Sequence, residues 1–305
     1  MNLLPFLFPF FQFIMMHQKS YNEALFYEKL PVFIENYKFI QEMNSLDNTS
    51  YVLGVNKFAD LTVEEFSALY LGLNGKGIGG QGCGAYSVSG NTPAVSLDWR
   101  TKKVVTPVKD QGQCGSCWAF AVTEVLESAY AIKNGELPVL APQELVDCDT
   151  SSYGCAGGYP ELALVYTLDH GLDKEADYPY KAVDGVCQGT DTAYKMEKCF
   201  DVAVNDEASM LDAVNVAPLV VLIEADQRVF QFYESGIIDA SSCGLNLDHA
   251  VQLVGYGEEN GKDYWLVRNS WGTSWGEAGY VKLERNSAIP QGTCGIAMGP
   301  SGFYV

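Results

Sequence analysis

The chain has 305 residues, 48% apolar and 19% charged, which suits about two globular domains and excludes global disorder or a collagen-like fold. Thirty-eight acidic against nineteen basic side chains leave a net charge of −19. Residues 93–305 carry thirty acidic and fourteen basic groups, residues 1–92 only eight and five. Such a surface repels phosphate backbones, so nucleic acid is excluded as a partner, and acid would neutralise part of the charge.

Met1–Met16 holds twelve apolar residues in sixteen, too few for a membrane span of about 20. Two readings stand. One is a leader lacking a basic start and a small-residue cleavage site; the other is a short packed helix with Phe10 and Phe13 turned inward. Residues 20–71 read as a compact helical region, because Lys29, Phe33, Asn36, Ile40 and Asn44 recur at helical spacing. Pro31 should make that helix kink or begin close by, since an interior proline costs about 3 kcal/mol. Asn48-Thr-Ser is the only glycosylation acceptor pattern. Gly72–Thr92 has eight glycines in twenty-one residues and reads as a flexible, protease-sensitive linker. This divides the chain into residues 1–92 and 93–305.

Beyond the linker, residues 117–133 predict a buried helix stopped by Asn134-Gly135, and a second helix starts at Pro160. Shorter β-like runs follow at Leu219–Ile223, Ala250–Tyr256, Tyr264–Asn269 and Gly279–Glu284. The expected fold class is α+β, a helical lobe over about 100–205 and an antiparallel β lobe over about 206–305. Clefts at such seams favour binding.

Nine cysteines are too many for an ordinary cytosolic enzyme, and the odd number leaves at least one thiol outside any intramolecular bridge. The densest signal is Gln111-Gly-Gln-Cys114-Gly-Ser-Cys117-Trp-Ala-Phe. Its Cys-x-x-Cys allows half a zinc site, a redox dithiol or a structural pair, although no second pair and no βαβ pattern accompany it. The third possibility separates the thiols, with Cys114 bridged elsewhere and Cys117 free at a helix start. There the helix dipole favours a thiolate. A thiolate needs a proton partner, and only His17, His170 and His249 exist. His17 precedes the linker and His170 sits at a helix end. His249 enters an apolar strand of the second lobe and is favoured by elimination. Asn269 could hold its ring in one tautomer.

With Tyr153-Gly-Cys-Ala-Gly-Gly-Tyr-Pro160, Tyr178-Pro-Tyr180, Asp248-His-Ala250 and Asn269-Ser-Trp-Gly272 added, the chain resembles the papain family of cysteine peptidases over nearly its whole length. The resemblance implies a papain-like two-lobe fold behind a helical inhibitory propeptide. Gly54-Val-Asn-Lys-Phe-Ala-Asp60 is similar to a propeptide motif, while Leu25, Lys29 and Pro31 depart from the propeptide helix pattern. It further implies a Cys117 thiolate paired with protonated His249, and an oxyanion site from Gln111 and the Cys117 N–H. Asn269 would orient the imidazole under Trp271. Gly157 and Gly158 would pair with an extended substrate, and Tyr159, Pro160, Leu222, Ala250 and Gly299 would form the P2 pocket. With no charged side chain among them, bulky apolar P2 residues are expected and Arg only weakly. The implied bridges are Cys114–Cys155, Cys148–Cys187 and Cys243–Cys294, with Cys83 and Cys199 either bonded or free.

The expected function is endopeptidase activity on proteins and peptides, from a zymogen cut in the linker to begin near Pro93. Acid would loosen the propeptide by protonating carboxylates such as Asp60. No cofactor, metal or stable membrane span is expected, and the setting would be a lysosome, a vacuole or the cell exterior, as a monomer. Two rivals stand beside it: a transpeptidase using the same thioester, and a catalytically silent binding protein on the same fold.

Overall fold

A computed structural model describes residues 3–47, 49–73, 82–90, 92–189 and 194–305. Asn48 of the glycosylation pattern and linker residues 74–81 and 91 lie outside these.

The N-terminal region starts with α1 (Leu4–Met16), with Pro5 in its first turn, where a missing N–H costs nothing. Phe10 and Phe13 are buried against Phe33, at ring-centroid distances of 5.0 and 5.2 Å, as the packed-helix reading required. Helix α2 (Glu23–Asn44) departs from expectation by beginning well before Pro31 and continuing past it. Asn22 caps it by accepting from the Leu25 N–H at 2.9 Å. The carbonyl that Pro31 leaves without its helical donor belongs to Tyr27, an exposed residue, so water can satisfy it. Burial of Leu30, Phe33, Ile34 and Ile40 on the same helix outweighs the remaining cost, at roughly 1.5–3 kcal/mol per large apolar side chain. Of the expected face, Lys29, Phe33, Asn36 and Ile40 are buried, and Asn44 instead clasps the Leu53 backbone with both amide atoms.

This region is not purely helical. β1 (Tyr51–Leu53) pairs antiparallel with Tyr233, Ser235 and Gly236 of the second domain, a contact no local pattern foreshadowed. α3 (Val63–Tyr70) follows, opened by a capping box in which Thr62 and Glu65 satisfy each other's backbone N–H. The described ends of the linker are more ordered than their glycines suggested: Leu73 pairs with Gly158, and β2 (Gly84–Ala85) pairs with Phe200 and Asp201.

In the second domain β3 (Leu97–Asp98) precedes α4 (Cys117–Asn134), almost wholly buried and ended by Gly135 at φ 75°. α5 (Pro142–Cys148) and α6 (Pro160–Asp169) pack nearby. Then come β4 (Cys199–Asp201), α7 (Glu207–Val214), β5 (Leu219–Ile223), α8 (Arg228–Gln231), β6 (Tyr233–Ile238), β7 (His249–Glu259), β8 (Lys262–Arg268), β9 (Tyr280–Glu284) and β10 (Ser301–Phe303). The strand order is β1-β6-β9-β8-β7-β5-β10-β4-β2, with β3 beside β7. Because β4 joins this sheet, the β lobe draws on residues before the expected boundary near 206.

Four disulfides form: the three implied by resemblance, and Cys83–Cys199, which the sequence left open. Cys117 alone is free. Among the described residues, no helix is long and apolar enough to cross a membrane.

Candidate active site

Cys117 is the first residue of α4, and its thiol is fully buried at the seam between the lobes. The zinc and dithiol readings fail here, since Cys114 is bonded to Cys155. The thiol lies within hydrogen-bonding reach of the backbone of Trp118, Gly72 and Ala250. Ala250 follows His249, so the nucleophile helix and the first residue of β7 meet at this point. His249 Nε2 lies 2.8 Å from Asn269 Oδ1. An amide oxygen only accepts, so Nε2 carries the proton and Nδ1 presents a lone pair. That Nδ1 is buried with no other partner. Trp271 stacks on the imidazole at 4.8 Å and shuts water away from the His249–Asn269 bond.

The ionisation differs from the expected thiolate–imidazolium pair. Burial pushes the Cys117 thiol up to about 11, although backbone donors from Ala250, Gly72 and Trp118 pull the other way. Burial likewise lowers His249 to about 4 against the stabilising bond from Asn269. Burial therefore works against charge on both groups, because the desolvation cost of a charge exceeds what the helix terminus returns.

The source of that burial is the N-terminal region. Gln111 is fully buried and donates through Nε2 to the carbonyls of Tyr70, at 3.0 Å, and Cys114, at 2.9 Å. Ser270 Oγ donates to Gln111 Oε1 at 2.7 Å and fixes the amide's orientation. The amide expected to receive a developing oxyanion thus holds a carbonyl from the end of α3. From Tyr70 the chain crosses the cleft: the Gly158 N–H donates to the Gly72 carbonyl at 2.9 Å, and the Leu73 N–H to the Asp248 carbonyl at 3.1 Å. Leu73 and Gly158 form a parallel bridge. A Cβ on Gly72 would lie 1.9 Å from the Gly115 carbonyl, and one on Gly158 only 2.4 Å from the Trp118 ring. Glycine is required at both close approaches. Tyr70 was not singled out by sequence, which carries no local mark of it; Asp248 and Ser270 stood only as members of matching motifs with no role given, and Gly72 registered only as the start of a linker.

Gly157, at φ 112°, leads into Gly158 and Tyr159, which meets Tyr153 edge-on. Pro160, Leu222 and Gly299 line one small cavity. Tyr159 and Ala250 are not part of its wall, whereas the charged residues Glu161 and Asp201 are, together with Val202, Val204, Pro300 and Ser301. His170 caps the end of α6, exposed and tilted against Tyr166, and His17 ends α1, so neither approaches Cys117 through its element.

A buried polar frame ties the three catalytic-type elements together. Gln252 on β7 donates to the Glu124 carbonyl on α4 at 2.9 Å and accepts from Arg268 on β8. Arg268 also faces Glu124 Oε1 at 3.3 Å and donates to Thr106 Oγ1 and the Pro107 carbonyl. Its neighbour is Asn269, so the frame fixes the strand that aligns the imidazole.

Two family models match: papain family cysteine protease over residues 93–303, and cathepsin propeptide inhibitor domain over residues 10–66. The probable cysteine protease RD21B of Arabidopsis thaliana is 47% identical over 277 residues, covering 89% of this chain and 59% of that protein. Cysteine proteinase RD21A of the same plant is 45% identical over 295 residues, covering 93% and 63%. The chain thus spans less than two thirds of the length of these relatives. Among solved structures, a recombinant stem bromelain precursor superposes with a TM-score of 0.90 at 36% identity, covering 99% of both chains. The digestive procathepsin L 3 of Tenebrio molitor larval midgut superposes with a TM-score of 0.88 at 36% identity, covering 96% of this chain and 97% of that one.

Proposed function

Because the chain belongs to the papain family of cysteine proteases and carries that family's propeptide inhibitor domain, we propose that it is the zymogen of a cysteine endopeptidase, held neutral by its own N-terminal region. The observation that carries this reading is the bare, buried Nδ1 of His249, oriented by Asn269 at the seam that holds the single free thiol.

Withdrawal of Tyr70–Leu73 would readmit water and remove the desolvation that keeps both groups uncharged. The Cys117 proton then passes to His249 Nδ1, and the thiolate attacks the substrate carbonyl carbon. The carbonyl oxygen becomes an oxyanion that accepts from Gln111 Nε2–H and the Cys117 N–H, each such donor contributing about 10²–10³ in rate. His249 returns its proton to the leaving amine as the C–N bond breaks, leaving a thioester. The same imidazole then takes a proton from water, whose oxygen displaces the thiol and releases the acid.

Leu222, Pro160 and Gly299 support a preference for bulky apolar P2 residues, and Glu161 and Asp201 in the same wall support Arg as a secondary choice. Four disulfides support an oxidising setting, either a vacuole or lysosome or the cell exterior. The test is labelling of the acid-processed protein by a thiol-directed peptidyl epoxide, with the adduct mapped. One adduct, on Cys117, is expected, with Phe or Leu at P2 labelling faster than Arg. An adduct on another cysteine overturns the mechanism, and a processed protein that takes no label is a silent binder. Peptide products joined to an added amine nucleophile, in place of free acids, would instead mark a transpeptidase.

A further inference from the structure

The segment from Cys83 to Ser89 falls outside both matched regions, yet it is fastened to the peptidase domain. Cys83 is bonded to Cys199, and Gly84 and Ala85 pair in parallel with Phe200 and Asp201. The Tyr86 N–H continues the ladder to the Asp201 carbonyl at 2.8 Å. Beyond it, Tyr86 Oη and the N–H and Oγ of Ser89 all donate to the Asp212 carboxylate, at 2.6–2.7 Å. β4 therefore lies between this arm and β10, and its Asp201 and the following Val202 belong to the pocket wall assigned above to P2.

We propose that Cys83–Ser89 is a permanent arm of the working peptidase that positions the Asp201–Val204 wall of the P2 pocket, and that the activating cut falls on the N-terminal side of Cys83. This rests on the peptidase reading above. A cut after Ser89 would leave the propeptide joined to the enzyme through Cys83–Cys199. A short tether holds a ligand at an effective concentration on the order of millimolar, so the cleft would refill as fast as it emptied. Only a cut before Cys83 leaves Tyr70–Leu73 free to depart while the arm keeps β4 from becoming an edge strand.

The test uses the full chain. After acid processing and epoxide labelling, the labelled species is sequenced from its N-terminus without reduction. It should begin before Cys83 and retain the bridge; a labelled chain that begins after Ser89 overturns the proposal, and this measurement needs no variant. Next, a recognition site for a foreign protease is inserted between Ser89 and Thr92. Cutting there should leave both pieces in one non-reduced band with little label, and in C83S/C199S the same cut should raise labelling about tenfold or more. Equal labelling overturns the proposal. In acid-processed C83S/C199S, the kcat/KM ratio of Phe over Gly at P2 should fall by about threefold to tenfold, the scale of small changes in pocket contacts. An unchanged ratio removes the positioning role. The band pattern is read without the label, so a thiol that never labels sinks the peptidase reading while the arm is still judged on whether the cut pieces stay joined.

Discussion

Two glutamates, one in each region, respond to acid with opposite sign. In the propeptide, Glu65 faces Lys29 Nζ at 2.5 Å and receives the Thr62 N–H. Partial burial opposes its charge, but the Lys29 and Thr62 bonds prevail and hold its pKa below the ordinary 4.5. Its contribution to the fold is present above pH 4.5 and is lost as pH falls through the lowered value. In the peptidase domain, Glu124 lies fully buried on α4, facing Arg268 with an oxygen that makes no hydrogen bond. Burial raises it to about 7 despite the arginine. The stability it contributes is full below 4.5 and is lost as pH rises through about 7. Through these two groups, acid is expected to weaken the cover and to favour the domain beneath. The distinction lies in whether the carboxylate's partners outweigh its desolvation.

Separating the two responses first requires silencing the chemistry. Cys117→Ala should lower turnover by at least about 10⁴-fold, and hydrogen exchange on that protein should still show residues 10–66 losing protection in acid before 93–303. Simultaneous loss would merge the two regions into one cooperative unit. The next largest effect is expected at Phe58, which is fully buried among Phe66, Tyr70 and Trp271 and so joins cover to enzyme. Phe58→Ala should cost the cover about 3–5 kcal/mol, giving labelling of Cys117 at neutral pH without lowering the Tm of the processed enzyme. Glu65→Gln should be milder, about 1 kcal/mol or less. It should release the cover more readily at pH 7 and flatten its release between pH 5 and 4; an unchanged acid profile would move the sensing elsewhere. Smallest is Glu124→Gln, expected within about 1 kcal/mol of the parent in acid. Its signature is stability of the processed enzyme that no longer falls between pH 6 and 8.

What was legible in the sequence were features whose cause is local. α4 declared itself by an apolar run ending at Asn134-Gly135, and β5 by five consecutive apolar residues between Pro218 and Glu224. His249 was reached by elimination among three histidines, whereas the choice of Cys117 and Asn269 leaned on the motifs shared with the papain family; the structure joins His249 and Asn269 through a 2.8 Å contact. Three-residue strands such as β1, β4 and β10 carry no periodicity, and distant pairing alone makes them strands. Gly84 and Ala85 read as linker because the partners that order them lie more than a hundred residues downstream. The state of Cys117 beneath its cover was not legible for a related reason. A helix start is visible in sequence, whereas the depth of cover from Tyr70–Leu73 is a property of the folded whole.

A chain that must close four disulfides while sparing a ninth cysteine risks shuffling its own crosslinks. Thiol–disulfide exchange needs an accessible thiolate. Shielded beneath Gly72 and protonated far above neutral pH, the sulfur of Cys117 has neither the access nor the charge to invade a neighbouring crosslink such as Cys114–Cys155. In the folded chain, the segment that crosses the cleft thereby also keeps the one spare sulfur out of exchange with the finished crosslinks.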